Sequence, residues 1–214
     1  MPNDDANLLS DHLLTRLSAR GDVRTYSRGD VVIAEGEESD ALYVLLSGEL
    51  KVYTTDARER EFVYNVLGPG EFFGELFLDG GLRSASVKAV STSLCVVVDR
   101  ETLLGFMKAY PEFAERLVLK LIARVRHATE QTRSLAFDGA RDRTVTVLNS
   151  LIEDVDGVRL IRNGITQQDI ADRIGATREM VNYVLRDLLR SGHLVRRPDK
   201  RLVVARNLSD GGEV

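Results

Sequence analysis

The sequence predicts an α+β protein with an antiparallel β domain first, one long helix next, and a helical domain with a β wing last. Three observations support this order. Short β-rich runs separated by glycines occupy about residues 23–98. Residues 112–137 contain neither glycine nor proline and follow a helical pattern. Two short helical patterns then meet at a glycine within residues 166–190.

The β region consists of short strands between glycine turns, which is typical of an antiparallel sandwich or barrel. The Ser47-Gly48 step joins two of these strands and predicts a tight hairpin. An apolar helical stripe precedes the region and is formed by Leu8, Leu9, Leu13, Leu14 and Leu17. The predicted strands are Asp30–Ile33, Ala41–Leu46, Glu49–Thr54, Glu61–Leu67 and Leu94–Val98.

The long helix over residues 112–137 would extend about 39 Å, and such a helix in a small protein predicts pairing with a second copy. Polar residues in the middle of the predicted seam cost stability, so they either specify the register or serve a function. The seam consists of Leu117, Leu121, Arg124, Ala128, Gln131 and Leu135. Asp138-Gly139 is the predicted hinge, and Asp138 is a candidate N-cap for a helix over Ala140–Glu153.

Residues 166–190 predict two short helices joined by a sharp turn. Thr166 and Thr177 are candidate N-caps, and Gly175 can adopt the positive φ that the turn needs. The second helix has one apolar face, formed by Val181, Val184, Leu185 and Leu188. Its other face is polar. This arrangement is typical of a DNA-reading helix-turn-helix, and a packed helical pair without a DNA role is the alternative.

Residue types on and after the second helix favour the DNA-reading interpretation. Arg178 can bond O6 and N7 of guanine, and Glu179 can accept from the amino group of cytosine. Residues 194–204 predict two strands around a basic turn, which would form a wing beside the helices. Lys200 in this turn is a candidate phosphate contact, although an ordinary exposed turn fits its position equally well.

Composition and charge limit the possible functions. The 214 residues carry a formal charge of −4, which excludes a general electrostatic coat for nucleic acid. Residues 159–206 nevertheless hold 11 basic and 5 acidic residues, which predicts a second module with its own partner. A single cysteine and no signal-like start predict a cytoplasmic protein. No apolar run is long enough for a membrane helix.

No catalytic or metal site is predicted. The chain has no Walker-type lysine loop and no dinucleotide fingerprint, and its three histidines lack metal-ligand spacing. Glu71 and Glu75 are close in sequence and would suggest acid–base chemistry, but Glu71 is interpreted as a solvated turn residue. An enzyme is therefore not expected.

Four motifs follow one another along the chain: Gly29–Gly36 with Leu42–Gly48, Gly70–Leu76 with Arg83–Ala85, Leu135–Phe137, and Gly175–Val181. Together they resemble the family of the cyclic-AMP receptor protein and the fumarate-nitrate-reduction regulator (CRP/FNR) over about residues 8–205. The resemblance implies a β-roll effector domain of the cyclic-nucleotide-binding type over residues 1–110. It also implies a dimerisation helix over 111–137 and a winged helix-turn-helix over 138–214.

The resemblance further implies a transcription regulator controlled by a small effector, with cyclic AMP as the first expectation and cyclic GMP or cyclic di-GMP as the runner-up. Glycines in the turn at residues 70–84 let backbone amides approach a ligand. In the same turn, Arg83 can pair with a phosphate, and Glu75 can accept a hydrogen bond from a ribose hydroxyl. The implied effector residues are Gly74, Glu75, Leu76, Arg83, Ser84, Arg124 and Thr129.

Two features depart from the family's pattern at this site. Ala128 occupies an adjacent position that is polar in the family. The segment from Glu75 to Arg83 is short, with Leu82 where a proline often stands. The alternative is a structural ion-pair cluster of Glu75, Arg83 and Arg124 without a ligand, which would make the protein an effector-independent regulator.

Iron–sulfur and heme sensing are not expected, because Cys95 is the single cysteine and residues 74–84 contain neither His nor Cys. The resemblance implies three partners: near-palindromic double-stranded DNA, RNA polymerase, and a second copy bound through helix 112–137. Tyr183 replaces the Arg of most members, which predicts a divergent base pair in the DNA site. The implied DNA contacts are Gln167, Thr177, Arg178, Glu179, Asn182, Tyr183 and Lys200.

Overall fold

The computed structural model describes residues 10–209, and the predicted helical residues Leu8 and Leu9 lie outside this range. The chain divides into two compact units, one ending at Ala128 and the other beginning at Thr129. Within residues 10–209, no helix is both long and apolar enough to cross a membrane.

The helices are α1 (Asp11–Ser18), α2 (Arg100–Ala109), α3 (Pro111–Phe137), α4 (Ala140–Ser150), α5 (Gln167–Ile174) and α6 (Arg178–Arg190), with a 3₁₀ helix at Glu75–Asp79. The strands are β1 (Asp22–Tyr26), β2 (Val31–Ile33), β3 (Ala41–Ser47), β4 (Leu50–Thr55), β5 (Glu61–Leu67), β6 (Phe72–Phe73), β7 (Ser86–Ala89), β8 (Ser93–Asp99), β9 (Ile152–Val155), β10 (Val158–Ile161), β11 (Leu194–Arg196) and β12 (Leu202–Val204).

Two four-stranded antiparallel sheets form the first unit, with strand orders β1-β8-β3-β6 and β2-β7-β4-β5. Both faces of the central pair, β3 and β8, are buried. Val44 and Val96 lie in a cluster with residues of α1, α2 and α3, whereas Leu45 and Cys95 pack with residues of the second sheet. This double burial explains why β3 and β8 are continuous apolar runs. It also raises the pKa of the Cys95 thiol to about 11, as expected for a core cysteine.

The five predicted strands are confirmed, and their ends differ from the prediction by one residue at most. The sequence pattern does not predict β1, β6, β7 or α2. β6 has only two residues, and four of the five residues in β1 are exposed, so neither strand shows an alternation of buried and exposed side chains.

The predicted hairpin at Ser47-Gly48 is wrong. β3 and β4 flank this step but lie in different sheets, so the turn carries the chain from one sheet to the other. Gly48 has a φ of 95°. A Cβ atom there would lie 2.4 Å from the Ser93 hydroxyl oxygen and 2.5 Å from the Thr92 carbonyl oxygen. The glycine therefore permits a close approach of two backbone segments.

The first half of the predicted seam on α3 faces the chain's own β domain. Leu117 is buried in the core of the first unit, and Leu121 packs against the same cluster. Arg124, the next residue of the stripe, forms an ion pair with Glu75. A second stripe of identical spacing is exposed one residue further along, and it begins with Val118, Ile122 and Val125. Spacing alone does not tell which of two adjacent stripes meets the chain's own β domain.

In the second unit, α4, α5 and α6 surround a core that also includes residues of a sheet with strand order β11-β12-β10-β9. The predicted helix over Ala140–Glu153 is too long, because α4 ends at Ser150 and β9 follows. Asp156 and Gly157 have φ values of 54° and 76°. Two successive positive φ angles are the signature of a tight hairpin turn, which pairs β9 with β10.

The predicted N-cap at Asp138 is also wrong. The residue before α4 is Gly139, which provides no side-chain cap. The Asp138 carboxylate instead accepts a hydrogen bond of 2.6 Å from the hydroxyl of Ser134. This contact points the side chain back along α3 and away from the start of α4.

We expect Gly48→Ala to destabilise the protein by about 2–4 kcal/mol, because positive φ and overpacking both carry a cost. Gly29→Ala is the matched control, since Gly29 has the same φ of 95° but a Cβ there would meet nothing within 4 Å. Chemical denaturation measures the free energy of unfolding of both variants. An equal loss in the two variants would show that the close approach at Gly48 costs nothing.

Candidate functional site

A glycine-bounded loop follows β6. Gly74, with a φ of 80°, precedes the 3₁₀ helix, and Gly80, with a φ of 81°, ends it. A Cβ atom on Gly74 would lie 2.8 Å from Nη1 of Arg83. The side chain of Arg100 supports the 3₁₀ helix by donating to the carbonyls of Phe77 and Leu78 at 3.1 and 2.9 Å. Gly74 thus brings the loop backbone directly onto the Arg83 guanidinium.

Arg83 is a buried cation that is held without a carboxylate. It is 5% exposed. Its Nη1 donates to the carbonyl of Gly74, and Nη2 donates to Ser39 Oγ and to the carbonyl of Ala41 at 2.5 and 2.8 Å. No carboxylate within residues 10–209 forms an ion pair with it, and its Nε has no hydrogen-bond partner. Burial lowers the pKa of the Arg83 guanidinium.

Glu75 supplies a buried carboxylate on the same loop, and its side chain is 3% exposed. Its Oε1 accepts a hydrogen bond from Nη1 of Arg124 on α3, and Nη2 of Arg124 donates to the carbonyl of Phe72 at 2.9 Å. Its Oε2 is buried without a hydrogen-bond partner. A buried polar atom without a partner costs about 1–3 kcal/mol, so a hydroxyl donor placed here would be stabilising.

The two atoms without partners are chemically complementary to one kind of ligand. Oε2 of Glu75 is an acceptor, and Nε of Arg83 is a charged donor. A molecule that carries a hydroxyl group and an anionic group would satisfy both. A phosphorylated sugar is one class of ligand that carries both groups.

Four of the predicted effector residues come together in the structure: Gly74 contacts Arg83, and the adjoining Glu75 contacts Arg124. Leu76 and Ser84 lie on the same loop and are exposed. Thr129, on α3, is exposed and belongs to the second unit. The effector roles of all seven residues stay predictions.

The helix-turn-helix forms as predicted. The Thr166 hydroxyl accepts from the backbone of Asp169 at 3.1 Å, and the Asp169 carboxylate accepts in return from the backbone of Thr166 at 2.7 Å. Gly175 has a φ of 62° at the turn. The Thr177 hydroxyl accepts from the backbone of Met180 at 3.3 Å and caps α6. The predicted inward residues Val181, Val184, Leu185 and Leu188 are all buried.

The outward face of α6 carries the predicted DNA contacts. Arg178 and Glu179 are exposed in the first turn, and Tyr183 is 69% exposed in the next. The amide oxygen of Asn182 accepts a hydrogen bond of 3.3 Å from Nε2 of Gln167 on α5, which fixes the relative orientation of the two amides. This face therefore presents charged and amphipathic groups on a rigid helix.

A two-stranded wing follows α6. β11 pairs with β12, and the turn between them closes through backbone hydrogen bonds of 2.9 Å from Arg197 to Arg201 and from Lys200 to Arg197. Lys200 has a φ of 68°, which is uncommon for a residue with a side chain. The tight turn therefore places an exposed cation at the end of the wing.

Residues 23–110 match the model of the cyclic nucleotide-binding domain, and residues 142–209 match that of the Crp-like helix-turn-helix domain. The CRP-like cAMP-activated global transcriptional regulator of Mycobacterium tuberculosis is 32% identical over 172 residues, which cover 78% of this chain and 77% of the relative. The chain belongs to the CRP/FNR family of transcriptional regulators. The cyclic AMP receptor protein of Thermus thermophilus is also 32% identical, over 79% of this chain and 77% of its own length.

The solved structures agree with this CRP/FNR-family fold. The c-di-GMP responsive global regulator CLP of Xanthomonas campestris covers 91% of this chain and 99% of its own chain, with a TM-score of 0.79 and 24% identity. The predicted fold class, a β-roll, a long helix and a winged helix-turn-helix, is confirmed. The protein is therefore a DNA-binding transcriptional regulator with a cyclic nucleotide-binding domain, and its matched relatives are regulators rather than enzymes.

Sequence reasoning missed several polar residues that shape the two sites of this CRP/FNR-family regulator. Glu71, interpreted from sequence as a solvated turn residue, is largely buried and forms an ion pair of 2.9 Å with Lys120. In the second unit, Nε and Nη1 of Arg143 donate to the carbonyls of Ile174 and Asp138 at 3.0 and 2.6 Å. Arg143 thereby ties the predicted hinge to the end of α5. No pattern in the neighbouring sequence distinguishes Lys120 or Arg143 from an exposed lysine or arginine.

Proposed function

We propose that this regulator binds cyclic AMP in its first unit and, as a homodimer, near-palindromic DNA through its second. The observation that carries the proposal is that Glu75 and Arg83 each have a buried polar atom without a hydrogen-bond partner, Oε2 and Nε respectively. The names of the relatives from M. tuberculosis and T. thermophilus, which refer to cAMP, support the choice of nucleotide. The proposed functional boundaries are an effector domain over 1–110, a dimerisation helix over 111–137 and a DNA-binding domain over 138–214.

Cyclic AMP would supply a ribose hydroxyl as donor and a cyclic phosphate as anion. Glu75 Oε2 would accept from the hydroxyl, and Arg83 would donate to the phosphate. Both hydrogen bonds would be charge-assisted and would form in a water-poor site. Gly74, Leu76 and Ser84 would line the loop around the sugar and phosphate. Arg124 would contribute from α3, and Thr129, which belongs to the second unit, is implied by the family resemblance alone.

The alternative of a structural ion-pair cluster without ligand fits the contacts less well. Glu75 does pair with Arg124, but Arg83 takes no part in an ion pair among the described residues. Burial lowers the pKa of Arg83 in spite of the attraction of the Glu75, Asp40 and Glu37 carboxylates, so an anion that bound directly to the guanidinium would be stabilising. Cyclic GMP and cyclic di-GMP offer the same chemical groups and are separate outcomes of the binding test below, as is effector-independent DNA binding.

DNA reading is assigned to α6 and the wing. Arg178 and Glu179 would contact base edges from the first turn, where recognition helices meet the major groove. Gln167, Thr177 and Asn182 would position the helix, and Lys200 would contact a phosphate. Tyr183 can make one hydrogen bond and contact a thymine methyl, so the base pair beneath it would differ from the one that an Arg selects.

Dimerisation is assigned to the exposed stripe of α3. The side chains of Val118, Ile122 and Val125 are 55%, 46% and 66% exposed. The same 4-3-4 spacing continues through Thr129, Thr132 and Ala136, as a coiled-coil seam requires. A dimer would present two recognition helices to half-sites about one helical turn apart.

A promoter-binding regulator of this kind would work with RNA polymerase as its partner. The relatives from M. tuberculosis and T. thermophilus are bacterial regulators. Bacterial promoters lie in the cytoplasm, and we propose the same location for this protein.

For the effector, we expect calorimetric titration to show binding of cyclic AMP to the wild type and weaker or no binding of cyclic GMP and cyclic di-GMP. Glu75→Gln and Arg83→Leu should each lower affinity for cyclic AMP by about tenfold or more, because each removes a charge-assisted hydrogen bond. Glu115→Gln and Arg28→Leu, at exposed positions, are the matched controls. Tight selective DNA binding by nucleotide-free protein, without any nucleotide response, would contradict the proposal.

For DNA, Arg178→Ala should weaken binding to the selected site by about 1–3 kcal/mol and relax the choice at one guanine. Lys200→Ala should weaken binding to specific and random DNA alike and reduce the salt dependence by about one phosphate contact. Selection from a random-site library at fixed salt, followed by anisotropy titrations, measures both. The base-contact role of Arg178 is refuted by an equal loss on specific and random DNA.

For the dimer, Ile122→Glu should convert the protein to a monomer, because it places like charges face to face in an apolar seam. Leu104→Glu on α2 is the control, since Leu104 is similarly exposed, at 41%, but lies outside the stripe. Sedimentation velocity measures the mass of both variants. A dimeric Ile122→Glu protein would place the interface elsewhere.

A further inference from the structure

Two ion pairs join α3 to the residues on either side of β6. Lys120 and Arg124 lie one helical turn apart on α3, and Glu71 and Glu75 lie four residues apart on either side of β6. Lys120 Nζ is 2.9 Å from Glu71 Oε1, and Arg124 Nη1 contacts Glu75 Oε1. The two pairs differ in their surroundings, and this difference suggests different roles.

Lys120 is the more deeply buried of the two cations. The Lys120 side chain is 3% exposed, compared with 31% for Arg124. Its ammonium lies 4.6 Å from the centroid of the Phe72 ring, which adds a cation–π contact. Burial lowers the pKa of Lys120, and the Glu71 carboxylate opposes this effect. Removing one member of such a pair would leave an uncompensated buried charge.

Glu71 is in turn fixed to the sheet. Its Oε2 accepts a hydrogen bond of 2.8 Å from the backbone of Gly68. The backbone of Leu45 on β3 donates to the carbonyl of Glu71 at 2.9 Å and accepts from Gly70 at 2.8 Å. Both carboxylate oxygens of Glu71 are thus occupied by groups of the protein. A ligand at Glu75 therefore has no open position at Glu71.

Glu75 offers the contrast, because its Oε2 has no protein partner. A ligand that engages this oxygen would redistribute the charge of the carboxylate and so alter its bond to Arg124. Arg124 is also the more exposed of the two cations and can rearrange at lower cost. A ligand at Glu75 would therefore alter the Arg124 pair and leave the contacts of the Lys120 pair unchanged.

We propose that Lys120 is a positioning residue that, through Glu71, holds the first half of α3 on the β domain as a fixed pivot. Effector binding at Glu75 then displaces Arg124 and the helix beyond it, instead of loosening the whole helix. This inference rests on the proposed function, since it concerns how nucleotide binding reaches the DNA-binding unit. Lys120 need not touch the nucleotide to act in this way.

The test compares the coupling factor, defined as the ratio of DNA affinities with and without saturating cyclic AMP, in full-length Lys120→Met, Glu71→Gln and the double variant. Lys108→Met, an exposed lysine on α2, is the matched control. We expect the three pair variants to lower the coupling factor by about tenfold, within the range of typical allosteric coupling. Their affinity for cyclic AMP alone should change less than about threefold, which is small on that scale.

The double variant separates positioning from stability. It leaves no unpaired buried charge, so its melting temperature should recover relative to Lys120→Met while its coupling factor stays low. If the melting temperature and the coupling factor of the double variant both recovered, the proposed positioning role of Lys120 would be overturned. A normal coupling factor in Lys120→Met would overturn it as well. In either case a wild type that responds to cyclic AMP leaves the proposed function intact. A wild type without any such response overturns both.

Discussion

The contact between Glu75 and Arg124 is the interaction on which the proposed effector site depends. The two residues are 49 positions apart in sequence, and their pairing closes the glycine-bounded loop against α3. At 3% exposure, the carboxylate would be costly without a charged partner. Because α3 also carries the exposed stripe that we assign to the dimer, one ion pair connects the glycine-bounded loop with the helix that would carry an effector's signal.

The contacts of Arg83 fix its guanidinium in position without any bound anion. Two of its nitrogens are held by Gly74, Ser39 and Ala41, so the guanidinium is fixed in position while its Nε stays without a partner. Most of the conformational entropy of this side chain is therefore lost on folding and not on ligand binding. An anionic ligand would recover the cost of burying the cation, and its binding would stabilise the folded chain by linkage.

Local chemistry decides how much of this fold the sequence predicts. The helix-turn-helix is predicted well, because its caps, its glycine turn and its apolar face depend on residues a few positions apart. The Ser47-Gly48 turn is mispredicted, because the long-range pairing of β3 with β8 decides which sheet each strand joins. In the proposed site, the family resemblance identifies Glu75 and Arg83. It does not identify Lys120, since no neighbouring residue marks Lys120 as buried.

The two stripes of α3 connect the proposed effector site with the proposed dimer interface. Leu121 and Arg124 face the β domain, whereas Ile122 and Val125, each one residue later, are exposed. Adjacent residues on a helix point about 100° apart, so a rotation of any segment of α3 changes both stripes of that segment together. If the first half of α3 is fixed by Lys120, such a rotation is confined to the part of the helix beyond it. The resulting twist would develop within the proposed seam itself, where a small change in register selects one dimer arrangement over another.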